Sequence, residues 1–154
     1  MPTILITGAS TGMGHHAAEF FAANGWNVAA TMRTPEKYKE DMETNQIKCF
    51  RLDVTDLDSI AKTIRDTVEC FGGLDVVVNN AGYGIIGPME GASVSQIDRQ
   101  ISTNLAGPIH IMSAALPLFR AQKSGIFINV TSVGGRVTMP VSYTHLTLPT
   151  ILLV

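Results

Sequence analysis

The sequence has only two cysteines, Cys49 and Cys70, and they share no metal-type spacing with each other or with the four histidines. That argues against a disulfide framework and a thiolate metal site, so both thiols are expected to be buried in a reducing compartment. Charge is sparse as well: 16% of residues are Asp, Glu, Lys or Arg, with a formal net charge of −2. With no basic stripe and no acidic tail, no nucleic-acid partner is expected. No apolar run reaches the roughly 20 residues that span a bilayer. Residues 3–6 are too short for the apolar core of a secretion signal and run straight into glycine. No membrane partner and a cytoplasmic location are the expectation. Repeats and linkers are missing before residue 140, which leaves a single domain. The 154 residues, 45% hydrophobic, suffice for one sizeable core.

Apolar periodicity gives the order of elements. Residues 3–6 read as a strand. A helix opening at His15, with Ala17, Ala18, Phe20 and Phe21 on its apolar face, is closed by Asn24-Gly25. Residues 28–32 read as a second strand, and Pro35 starts a polar helix to about Glu43. Residues 47–52 form a third strand ending at Asp53. Leu57, Ile60, Ile64, Val68 and Phe71 recur at spacings of three and four, which marks an amphipathic helix stopped by Gly72-Gly73. Residues 74–78 are uninterruptedly apolar, as a strand buried on both faces requires. A long helix is expected over 93–121, with Ile97, Ile101, Leu105, Ile109 and Met112 on one face, and a fifth strand over 126–130. Alternating strands and helices with short loops mean an α/β fold, a three-layer doubly wound parallel sheet of about five strands.

The chemistry lies first in the turn after strand one, Thr7-Gly8-Ala9-Ser10-Thr11-Gly12-Met13-Gly14. Strand, glycine turn and helix in that order suit a dinucleotide pyrophosphate. The glycines let backbone approach the phosphates, and the helix N-terminus presents free N–H groups and the positive end of its dipole. Two further signals follow: Asn79-Asn80-Ala81-Gly82 after strand four, and Asn129-Val130-Thr131-Ser132 at the end of strand five, with Asn104 in Ser102-Thr103-Asn104-Leu105 between them.

Together these resemble the short-chain dehydrogenase/reductase family over roughly residues 1–140, a Rossmann-type NAD(P)-binding domain. The resemblance implies that Gly8, Gly12 and Gly14 form the cofactor turn, with Ser10, Thr11 and Met13 offering backbone N–H groups. It implies that Asp53 and Val54 face the adenine, and that the segment Asn79, Asn80, Ala81 and Gly82 lines the cofactor and steadies the central strand. A carboxylate at the end of strand two would bind the ribose of NAD, but this chain reads Thr31-Met32-Arg33-Thr34. A guanidinium suited to a 2′-phosphate makes NADP(H) favoured over NAD(H). Ser132 matches the residue that bonds the substrate oxygen, and Asn104 the one that holds a water of the proton relay. The implied reaction is hydride transfer between NADP(H) and a small-molecule carbonyl or secondary alcohol, by a homo-oligomer that uses the long helix and the one after the family's catalytic Tyr.

The family's remaining pair is a Tyr acting as general acid/base and a Lys four residues later. Tyr143 lies near the window, but position 147 is Thr. Without the Lys a phenol of ordinary pKa near 10 is a poor base at neutral pH. Residues 141–154 are β-prone and interrupted by Pro149, wrong for the helix that should carry the pair. Residues 141–150 match an in-frame translation of a transposon-based sequencing adapter, GTC TCT TAT ACA CAT CTG ACG CTG CCG ACG. The expectation is a native domain over 1–140 and a non-native tail over 141–154. Catalysis is then incomplete, and strand five becomes an exposed apolar edge prone to aggregation. A non-catalytic dinucleotide-binding or regulatory module is the alternative. An extended sugar-nucleotide relative is disfavoured, because its turn is typically G-x-x-G-x-x-G.

Overall fold

A computed structural model describes residues 1–87 and 89–132. Tyr143 and the whole 141–154 segment lie outside the described residues. Five strands, β1 (Thr3–Thr7), β2 (Asn27–Met32), β3 (Ile47–Arg51), β4 (Val76–Asn79) and β5 (Ile126–Asn129), form one sheet in the order β3-β2-β1-β4-β5. Every pairing is parallel, and the register runs Ile4↔Val28, Ile4↔Val76, Val28↔Ile47 and Val76↔Ile126. The chain crosses from the β3 edge back to β4 beside β1, so the sheet changes direction of growth at β1. That switch opens a crevice at the C-terminal ends of the strands.

Helices cover both faces. Alternation along the central strands sends Ile4, Ile6, Val28, Ala30, Val76 and Val78 to one side, against Ala18 of α1 (Gly12–Ala23) and Met42 of α2 (Lys39–Met42). Leu5, Ala29 and Val77 point the other way. There they meet Ile60 and Ile64 of α3 (Leu57–Phe71) and Ile111, Ala115 and Phe119 of α5 (Gly107–Gln122). The three-layer doubly wound architecture is the one expected from the sequence.

Several local expectations are corrected. The first helix starts at Gly12 rather than His15, so the glycine turn and the helix overlap. Phe20 points to solvent, because the buried line of α1 is Gly14 and Ala18, four residues apart, flanked by Ala17 and Phe21. The polar helix after Pro35 breaks into a 3₁₀ turn, Pro35–Lys37, and the single turn of α2. Leu57 is exposed at the first position of α3, while Thr63 and Thr67 are buried and donate their hydroxyls to backbone carbonyls. Cys49 is buried, but Cys70 is exposed.

The long helix departs most from expectation. It is α4 (Val94–Ile101), a π-helical segment (Ser102–Ala106) and α5 in continuous succession. Ile101, Leu105 and Ile109 are exposed; the buried line is Gly107, Ile111, Ala115 and Phe119. Small residues decide it. A Cβ on Gly107 would lie 3.1 Å from Val54, so the helix axis comes closer to the loop after β3 than larger residues would permit. On β5, the edge strand among the described residues, Ile126 and Ile128 are exposed.

Candidate functional site

The site is built on the turn between β1 and α1. Gly8 and Gly12 have φ of +67° and +61°, in the left-handed region where any side chain is strained. A Cβ on Gly8 would also lie 2.9 Å from Ala81 Cα, whereas one on Gly12 would meet nothing within 4 Å. Gly8 therefore seats the turn against the end of β4, and Gly12 faces open space. Gly14 is a packing glycine: its Cβ would sit 2.5 Å from the Gly8 carbonyl oxygen and 2.6 Å from Asn80 Nδ2.

Two side chains fasten this turn to β4. Thr7 Oγ1 accepts from the backbone N–H of both Asn80 and Ala81, each at 2.9 Å. Asn80 Nδ2 donates to the carbonyls of Thr7 at 2.8 Å and Gly8 at 3.2 Å. One strand further, buried Asn79 donates its Nδ2 to Asn129 Oδ1 at 2.8 Å, joining β4 to β5 through side chains.

The helices differ at their N-termini in a way that matters electrostatically. The side chain of Asp56 caps α3 by accepting from the N–H groups of Asp58 and Ser59, and Ser93 with Gln96 forms a capping box on α4. The Thr11 side chain makes no capping bond on α1, and no acid stands in its first turn. The first-turn N–H groups and the positive end of its dipole are thus without a side-chain cap.

That helix end opens on a cleft of about 980 Å³. Gly8, Ser10, Thr11, Met13, Arg33, Asp53, Val54, Asn80, Ala81 and Gly82 all line it, so most of the residues expected from the sequence converge. Gly12 and Gly14 belong to the turn but are not among the lining residues. Asp53 does not cap α3; it accepts from Thr55 N at 3.0 Å and Thr55 Oγ1 at 2.7 Å. Those two bonds, helped by the nearby charges of Arg33 and Arg51, hold its carboxyl below the usual range, and it is ionised at neutral pH.

Asn104 sits in the π-helical segment, where helical geometry is widened, a feature frequent at functional sites. Its Oδ1 accepts from Tyr83 N at 3.1 Å and its Nδ2 donates to Tyr83 O at 2.6 Å, so its amide grips the loop after β4. Ser132 follows β5 and is exposed, outside the residues that line the cleft. Sequence reasoning missed the far wall: Gln96, Arg99 and Thr103, spaced three and four apart, line the cleft together with Tyr83 and Ile85. The polar stripe 96/99/103 was the available signal.

Fold and cleft define an α/β domain, a doubly wound parallel sheet with a crevice at its switch point. The chain belongs to the short-chain dehydrogenase family, whose sequence profile matches residues 2–144. It is 36% identical over 139 residues to an uncharacterised oxidoreductase of Schizosaccharomyces pombe, covering 90% of this chain and 47% of that one. It is 34% identical over 137 residues to a 3-ketodihydrosphingosine reductase of Bacteroides thetaiotaomicron, covering 89% and 49%. The chain thus spans about half the length of these curated relatives. The solved structure of ElxO with NADP bound superposes with a TM-score of 0.85 at 30% identity, covering 99% of this chain and 64% of that one.

Proposed function

We propose that the chain is the dinucleotide-binding part of an NADP(H)-dependent reductase or dehydrogenase acting on a small carbonyl or secondary alcohol. The observation that carries the reading is the uncapped N-terminus of α1 beneath Gly12, facing a cleft with a guanidinium on one flank. These residues fit the cofactor, which when bound supplies the hydride-carrying nicotinamide. Backbone N–H groups of Ser10, Thr11 and Met13 hold the pyrophosphate, and Asn80, Ala81 and Gly82 support the sugar beyond it. Asp53, ionised and half-buried, accepts from the adenine amino group beside Val54. Arg33 takes the 2′-phosphate, and Thr31-Met32-Arg33-Thr34 presents no acid to repel it. The NADP found in ElxO supports that preference.

On the substrate side, Ser132 polarises the reacting oxygen, and Asn104 keeps the loop after β4 in place for the relay. Tyr143 has Thr147 where its Lys partner belongs, so proton transfer is incomplete in this sequence. We assign residues 1–140 to the native domain and residues 141–154 to a foreign tail. The exposed row Ile101, Leu105 and Ile109 supports a homo-oligomeric parent joined through the long helix.

Calorimetric titration with NADPH and NADH tests the reading. Bonds to a charged group contribute about 1.5–3 kcal/mol, so NADPH should bind at least about tenfold tighter, and Arg33→Ala should erase that ratio. Equal affinities in the wild type would sink the NADP assignment, and no binding of either would sink the whole proposal.

A further inference from the structure

The wall of the cleft beyond β4 is held by two amide side chains, and only Asn104 was expected to matter. Residues 81–86 belong to no helix or strand, yet Gly82, Tyr83 and Ile85 line the cleft. Asn104 grips Tyr83 in both directions. Gln100, one helical turn earlier, accepts through Oε1 from Ile85 N at 2.9 Å. Four residues of helix rise about 6 Å, and two residues of extended chain advance about 6.6 Å. Amides at positions i and i+4 of the helix therefore meet alternate residues of a segment that passes antiparallel to it. Half-buried Gln100 is the second of two pins, and the next residue after its partner, Ile86, is 81% exposed.

We infer that Gln100 is a positioning residue of the cofactor site, fixing through Ile85 the wall against which the nicotinamide–ribose half of the dinucleotide lies. The inference rests on the dinucleotide reading above. The sheet order places the β4 end on the opposite side of the glycine turn from Arg33 and Asp53. With the pyrophosphate on α1 and the adenylate half over β2 and β3, the other half extends over the 82–85 wall. Gln100 acts on that half alone, and through the backbone rather than by contact with the ligand.

The test uses the full chain with two probes, NADPH and 2′,5′-ADP, which carries only the adenylate half. Gln100→Leu removes the acceptor at similar size, and Gln100→Glu keeps it. In Gln100→Leu the NADPH affinity should fall about three- to tenfold, the scale of one net hydrogen bond. Bound NADPH should lose fluorescence enhancement, while 2′,5′-ADP binding stays within about twofold of wild type. Gln100→Glu should restore the NADPH values. Unchanged NADPH binding in Gln100→Leu, equal loss of both probes, or failure of Gln100→Glu to rescue would each overturn the inference. Wild-type protein that binds neither probe would instead refute the dinucleotide reading on which it stands.

Discussion

Alanine placed in turn at Gly12 and Gly14 should separate stability from binding, because the two glycines are needed for different reasons. At Gly14 the new Cβ would sit 2.5 Å from Gly8 O, 2.6 Å from Asn80 Nδ2 and 3.1 Å from Ala9 Cα, so the Gly8–Ala9 backbone and the Asn80 side chain must move. Overpacking of this kind costs about 1–3 kcal/mol. Displacing the Asn80 amide, bonded to Thr7 O at 2.8 Å and Gly8 O at 3.2 Å, adds about 1 kcal/mol for each bond lost. We expect about 3–5 kcal/mol in total, which at a urea slope of about 2 kcal/mol/M lowers the midpoint by about 1.5–2.5 M. At Gly12 the Cβ meets nothing within 4 Å, and only the φ of +61° is strained. That costs about 1 kcal/mol, or about 0.5 M in midpoint. Gly12, however, is the first residue of the helix end assigned to the phosphates. Gly12→Ala should therefore lose at least about tenfold in NADPH affinity while remaining the more stable variant. Urea denaturation with parallel NADPH titration reads both quantities. The reasoning is refuted if Gly12→Ala loses as much stability as Gly14→Ala, or binds NADPH like the wild type.

The two thiols should behave differently. Burial, with the Glu43 charge second, pushes the Cys49 thiol up to about 11. In native protein at pH 8 an aromatic disulfide reagent should modify Cys70 alone, with Cys49 reacting only after denaturation; rapid native modification of both would contradict this. Because the folded thiol ionises later than the unfolded one, its contribution to stability is complete below about pH 8.5 and declines as pH rises towards 11. The chain as written should show no NADPH-dependent carbonyl reduction. Genomic sequence read directly past codon 140 should reveal a Tyr-x-x-x-Lys pair. Turnover by the 154-residue chain that Ser132→Ala abolishes, or natural DNA encoding Thr147, would refute these two statements.

The glycine turn was legible because its constraint is local: positive φ at Gly8 and Gly12 and close packing at Gly14 leave little else than glycine. The α3 stripe was legible for a similar reason, since one face carries nearly all its aliphatic residues; only Leu57, exposed at the first position, misled. The long helix was not legible in detail because it has two apolar faces. Periodicity selected the row of larger side chains, Ile101, Leu105 and Ile109, yet the sheet took the row with Gly107 and Ala115, where close approach is possible. The π-helical segment at Asn104 and the grip of Gln100 on Ile85 depend on which backbone passes beside the helix, and no local pattern encodes that. Asp53 lines the cleft, but its bonds to Thr55 depend on the geometry of the turn after β3.

The central claim is that the uncapped end of α1 holds a dinucleotide pyrophosphate. Backbone amide shifts, measured by ¹H–¹⁵N NMR as NADPH is added, test it most directly. The account predicts the largest changes at Ser10, Thr11, Gly12 and Met13, with Arg33 following when NADPH is compared with NADH. Saturable binding that leaves those four amides unmoved would contradict it.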